Sequence, residues 1–128
     1  MTDATEEFQK KTESLVVRNA NILDIITKCQ NSCDKICRST VKSATGCGCI
    51  EISAQKEVPT LTKPALSPRQ RSGINGALCP ECKSRVENEI GETLFYIASL
   101  CNALELSLSE IMQQEIKRVE ILGRYSLR

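Results

Sequence analysis

A chain of 128 residues has the size of one domain, roughly 100–150 residues, so a second independent core is not expected. With 17 Lys plus Arg against 16 Asp plus Glu, the formal charge is +1, which gives nucleic acid no general electrostatic claim as a partner. Aromatic residues make up only 3%, so the core must be built from Leu, Ile, Val, Ala and Cys and is thin for the length; a metal or an oligomer interface would compensate.

The opening segment from Met1 to Lys11 is polar and acidic with no apolar h-region, so no secretory signal is expected. No stretch approaches the roughly 18–20 apolar residues of a membrane span. These features assign the chain to the cytoplasm, where thiols stay reduced. Eight cysteines there point to metal ligation, thiol chemistry or core packing before a disulfide framework.

Between Glu6 and about Ala44 there is neither Gly nor Pro, and Leu15, Ile22, Ile25/Ile26, Cys29, Cys33, Ile36/Cys37 and Val41 recur every three or four residues. This period predicts one long helix, or two with a break near Asn19 to Asn21. So long an apolar stripe has to pack against something, within the chain or in another copy. Gly46 and Gly48 end the helix. Ile50 to Ala54 fits either a short extended piece or one more helical turn.

Pro59, Pro64, Pro68, Gly73 and Gly76 then punctuate a Thr-, Ser-, Lys- and Arg-containing stretch from Glu57 to Ala77, the composition of a loop between two helical halves. After Pro80, a residue favoured in a first helical turn, Val86, Ile90, Leu94, Ile97, Cys101 and Leu104 define a second helical face. Ser107 and Glu110 have capping-box spacing. They open a last helix from about Leu108 to Leu122, with Ile111, Glu115 or Ile116, Val119 and Leu122 inward and Gly123 as its stop.

The chain therefore reads as a single all-α domain. Residues 1–45 form a helical region, 46–85 metal-binding turns and a Pro/Gly-rich loop, and 86–123 a helical hairpin packed in a bundle.

Gly46-Cys47-Gly48-Cys49 and Cys79-Pro80-Glu81-Cys82 are two close thiol pairs, each in a turn. Zn²⁺ takes four soft ligands in a tetrahedron, and two short-spaced pairs brought together supply them. The Cys79/Cys82 spacing is that of a metal knuckle; the Cys47/Cys49 spacing is tighter than the usual two to about four intervening residues. The same Cys-x-x-Cys spacing at a helix start also suits a thiol-disulfide centre, and four thiolates also suit an iron–sulfur cluster. Against the redox reading, no βαβ pattern surrounds Cys79.

Cys29, Cys33 and Cys37 stand four residues apart and share one helix face. They are read as small buried hydrophobes in the core stripe, with a second metal or redox site as the alternative. Cys101 is read the same way.

Glu89 and Glu92, three apart on a helix, could together offer oxygens to Mg²⁺; an acidic first turn that complements the helix dipole is the plainer explanation. The run from Glu89 to Ala98, followed by Asn102 to Ile111 and a last helix, resembles the third and fourth helices of MazG-like nucleoside triphosphate pyrophosphohydrolases over about Val86 to Gly123. That resemblance implies an all-α, oligomeric fold and Mg²⁺-dependent cleavage between the α- and β-phosphates of a nucleotide. In that family one helix carries Glu-Glu-x-x-Glu and the next Glu-x-x-Asp. Here Glu89 matches the Glu of the second motif and Glu92 replaces its Asp. The helix that should carry the first motif offers only Asp34 between Cys29 and Cys37.

The expectation is thus a zinc-binding, MazG-like helical homo-oligomer that has lost catalysis and acts as a binding or regulatory module. One alternative is a pyrophosphohydrolase using Glu89 and Glu92, completed by Asp34, Glu51 or a second subunit; another is a thiol-based redox or metal sensor. Lys117, Arg118, Arg124 and Arg128, with Lys63, Arg69 and Arg71, could meet phosphates, on a nucleotide or on nucleic acid. Their plainer role is a solvated face.

Overall fold

The computed structural model describes residues 3–15, 21–54, 56 and 72–125. Four α-helices lie among them: α1 (Ala4–Leu15), α2 (Ile22–Lys42), α3 (Pro80–Ala103) and α4 (Leu108–Tyr125). A π-helical turn (Ser43–Cys47) follows α2, and two strands, β1 (Ile50–Ile52) and β2 (Ile74–Gly76), pair antiparallel. The described residues are mostly helical, in line with the all-α expectation, and carry one short two-stranded sheet. The contacts group the chain into two compact units. One joins the residues up to Ser32 with those from Gly91 onward; the other runs from Cys33 to Ile90. Among the described residues, no single helix is long and apolar enough to cross a membrane.

Local sequence accounts for the helix limits. Asp3 caps α1, its Oδ1 accepting the Glu6 amide at 2.7 Å. Asn21 caps α2 by accepting the Leu23 amide at 2.8 Å, which fits the break expected near Asn19 to Asn21. Ser107 caps α4, its hydroxyl accepting the Glu110 amide at 3.2 Å. Each cap satisfies a donor that a helix start leaves without an intrahelical partner. Helix α3 begins at Pro80, where the missing N–H costs nothing. It ends through Glu105, the one non-glycine residue with positive φ (58°) among the described residues, while the Leu106 amide reaches back to the Cys101 carbonyl at 2.8 Å. That is a left-handed cap usually built on glycine. Gly123 does not stop α4, which continues to Tyr125; a glycine near a helix end costs only about 1 kcal/mol.

In the first unit Gln9 acts as a clasp. Its amide nitrogen donates to Asn102 Oδ1 at 2.9 Å and to the Leu106 carbonyl at 2.7 Å, and its Oε1 accepts the Leu108 amide at 2.8 Å. The Asn102 amide returns a bond to the Gln9 carbonyl at 3.3 Å. A second tie runs from the Ser109 hydroxyl to Asp3 Oδ2 at 2.7 Å, and with the Glu6 amide as the larger influence it holds the Asp3 carboxyl below its ordinary value. Ile25, Ala98 and Cys101 are buried here, so the core reading of Cys101 stands.

Two inward faces differ from expectation. On α4, Ile111, Ile116 and Val119 stay 40–55% exposed. On α2 the buried positions are Ile25, Ser32 and Ser39, and Ser43 is buried at the start of the π-turn that follows. Cys33 and Cys37, expected in the core, are exposed and Cys29 is half-buried. The apolar stripe of α2 thus lies to one side of the face that packs within the chain. That inner face carries serines, whose small side chains let a neighbouring backbone approach and whose hydroxyls bond carbonyls of their own helix, as Ser32 does to Cys29 and Ser43 to Ser39.

Candidate metal centre

The second unit positions the four cysteines in stages. Helix α2 widens into the π-turn, closed by the Gly48 amide on the Ser43 carbonyl at 2.9 Å. Gly48 takes a left-handed conformation with φ 82°, open to glycine without steric cost. That conformation turns the chain so that Cys47 and Cys49 leave the helix end together, Cys49 Sγ lying 3.7 Å from the same Ser43 carbonyl.

Strand β1 begins at the next residue, and its register, Ile50↔Gly76, Glu51↔Asn75 and Ile52↔Ile74, brings the approach to Cys79 alongside Cys49. Gly76 is required at this point: with φ 87°, a Cβ there would sit 2.7 Å from the Cys49 carbonyl oxygen. Ile50, the residue after Cys49, is buried.

Cys79 then caps α3. The Lys83 amide donates to its carbonyl at 2.8 Å and the Cys82 amide donates to its Sγ at 3.4 Å. One turn into the helix, Cys82 is buried, Cys49 and Cys79 are half-buried and Cys47 is exposed.

The four Sγ atoms all lie within 4.8 Å of one another, and Cys47 and Cys79 are 3.8 Å apart. Bonds of about 2.3 Å to a tetrahedral zinc place thiolates about 3.8 Å from each other, so the group fits one such ion after adjustments of less than about 1 Å.

The thiols are electrostatically unequal. The Cys82 amide, then the Cys82 side chain, pulls Cys79 down to about 7, the effect expected for a thiolate at a helix N-terminus. Cys47 is pushed up to about 12, first by Cys79 and then by Cys82. Ser43 has the largest single influence on Cys82 and lowers it, but Cys79 and burial together leave it raised. Four thiols held this close cannot all ionise without a cation. A divalent ion relieves that conflict and deprotonates them together.

The carboxylates lie elsewhere. Glu89, on α3, accepts a hydrogen bond from the buried Ser39 hydroxyl of α2. Among the described residues, neither Glu89 nor Glu92 belongs to a group of three or more acidic or thiol side chains close enough to hold a metal, with Asp34, Glu51 or any other. Arg118 pairs with Glu115 at 2.7 Å on the exposed side of α4, and Lys117 is exposed. Lys63, Arg69, Arg71 and Arg128, with the Arg124 side chain, lie outside the described residues, as does the stretch 57–71 of the expected loop.

Sequence reasoning missed strand β2 and the Ser39–Glu89 bond. The available signal was the alternating Ile50-Glu51-Ile52 beside Cys49 and Ile74 shortly before Cys79. Two extended pieces flanking two thiol pairs are what a hairpin-borne metal site requires. No family model matches the chain, and no curated protein or solved structure is recognisably similar to it.

Proposed function

We propose that Cys47, Cys49, Cys79 and Cys82 hold one structural zinc ion, and that the chain is a non-enzymatic binding or regulatory module of divergent MazG-like type, working in the cytoplasm as a homo-oligomer. The observation that carries the metal assignment is the mutual approach of all four Sγ atoms to within 4.8 Å. That spacing favours a single ion over a 4Fe–4S cluster, in which each thiolate sits on its own iron and the cysteine sulfurs stand farther apart.

The ion acts as a cross-link between the π-turn at the end of α2 and the start of α3, four soft ligands closing a loop that the short hairpin alone would hold weakly. The oligomer is supported by apolar exposure. Five hydrophobic residues are buried among the described residues, whereas Leu23, Ile26, Leu94, Ile116 and others are 43–70% exposed.

Metal content of anaerobically purified protein, measured by plasma mass spectrometry beside Cys79→Ser, tests the assignment. About one zinc per chain, lost in the variant together with thermal stability, supports it; no metal in either protein refutes it.

A second reading, a thiol-based redox or metal sensor, draws on Cys79 being held at about 7 and lying 3.8 Å from Cys47. Release of zinc and a change of oligomeric state under mild oxidant would favour it. Full protection of the thiols would remove it.

A further inference from the structure

The four thiols of the metal centre are unequally placed. Cys47 is exposed, Cys49 and Cys79 are half-buried and Cys82 is buried. Their partners divide them further. Cys49 and Cys82 gather on the buried Ser43: its carbonyl oxygen lies 3.7 Å from Cys49 Sγ, and its side chain is a hydrogen-bond partner of the Cys82 side chain. Cys47 and Cys79 form an outer couple whose Sγ atoms, 3.8 Å apart, are near van der Waals contact. The Cys82 amide, donating to Cys79 Sγ at 3.4 Å, holds that sulfur at the start of α3. The centre thus has a protected inner pair and an outer pair that joins its two halves.

From this division we infer that a peroxide closes the outer couple into a Cys47–Cys79 disulfide, which expels the ion and replaces it as the tie between the π-turn and the start of α3. Expulsion of the ion rests on the zinc reading above, and the choice of pair gives the sensor reading its chemistry. Oxidation begins at the accessible sulfur. The Cys47 thiolate attacks the peroxide, becomes a sulfenic acid and releases hydroxide. The Cys79 thiolate then attacks the Cys47 sulfur; the S–S bond forms, the S–O bond breaks and a second hydroxide leaves. Two electrons pass from the two sulfurs to the peroxide, which ends as two hydroxide ions. The thiolates that remain, on Cys49 and Cys82, are half the set that a structural zinc site uses, too few to retain the ion.

The spacing Cys79-Pro80-Glu81-Cys82 suggests a different bridge, between the two thiols of one helical turn. Here Cys82 is only 5% exposed and is engaged by Ser43, and a bridge from it to Cys79 would leave the hairpin untied once the ion is gone. Cys47 and Cys79 are 32 residues apart, so their bridge closes a long loop and restrains the same two elements as the ion does.

The experiment treats the full chain, purified anaerobically and with its metal content measured, with a small excess of hydrogen peroxide. Remaining thiols are then blocked with N-ethylmaleimide, bridges are mapped by peptide mass spectrometry, and released zinc is read with a chromogenic chelator. Two fewer alkylated thiols, a linked peptide pair carrying Cys47 and Cys79, about one zinc released for each bridge, and hydrogen-exchange protection retained at the β1 and β2 amides are expected. Cys79→Ser, which lacks the resolving thiol, should accumulate sulfenic acid at Cys47 that dimedone labels. A Cys79–Cys82 bridge, or a centre that peroxide leaves reduced or oxidises without a bridge, overturns the proposal. Loss of strand protection in the bridged protein overturns the replacement of the ion as a tie. Untreated protein without zinc defeats the zinc reading and expulsion with it, while the peptide map still decides the pairing.

Discussion

The hairpin that carries the thiol pairs and the helical unit that carries Gln9 are held by opposite means. In the first, backbone geometry does the positioning: a π-turn, a left-handed glycine, a three-residue ladder and a helix cap place four sulfurs around one point, and little apolar surface is buried beyond Ile50 and Cys82. In the second, polar side chains clasp α1 to the turn between α3 and α4, while the apolar faces of the helices remain open. Among the described residues neither unit buries a deep hydrophobic core, which is why a metal is proposed for one and a second chain for the other. Small folds with thin cores meet the same requirement by these two routes.

Removing the metal should divide the two regions most sharply. Structural zinc commonly contributes on the order of 10 kcal/mol of binding free energy at neutral pH. Chelation is therefore expected to abolish hydrogen-exchange protection at the β1 and β2 amides while leaving protection across α1 and α4. Equal loss in both would show that the clasp depends on the metal site.

The clasp is next in size. Gln9→Ala deletes three side-chain hydrogen bonds and leaves the Leu108 amide without this acceptor. At about 1 kcal/mol for each bond, a loss of roughly 2–3 kcal/mol is expected in denaturant titration of the zinc-bound protein. Metal stoichiometry should not change.

A smaller, pH-dependent effect belongs to the metal-free hairpin. Cys79 sits at about 7 against an ordinary 9.0; a lowered value means stability that is complete above 9 and lost as pH falls through about 7. Cys47 at about 12 has the opposite sign, with stability complete below 9 and lost as pH rises toward 12. Metal-free protein should therefore melt highest near pH 9 and lower on either side, and a flat profile would remove the thiol coupling. The smallest effect is a gain: Glu105→Gly relieves a left-handed residue and should add roughly 1 kcal/mol.

Legibility in the sequence followed the same division. The thiol pairs, the break before α2 and the start of α3 at Pro80 were readable because each depends on a local residue type, a short-spaced Cys, an Asn cap or a proline. The inner face of α2 was not. Periodicity locates an apolar stripe but does not say whether its partner is the same chain or another, and here the intramolecular side is the serine side. Strand β2 was hidden because a three-residue strand has too few positions to show alternation, and its partner is separated from it by residues 53–73 of the chain. The Ser39–Glu89 bond joins residues 50 apart, beyond any local pattern, and it gives Glu89 a structural partner that the acidic spacing alone did not suggest.

The central claim is that one ion is held by four sulfurs. X-ray absorption at the zinc edge of the purified protein tests it most directly. The account predicts a single shell of four sulfur atoms at about 2.3 Å; a shell containing nitrogen or oxygen, or protein carrying no zinc, would contradict it.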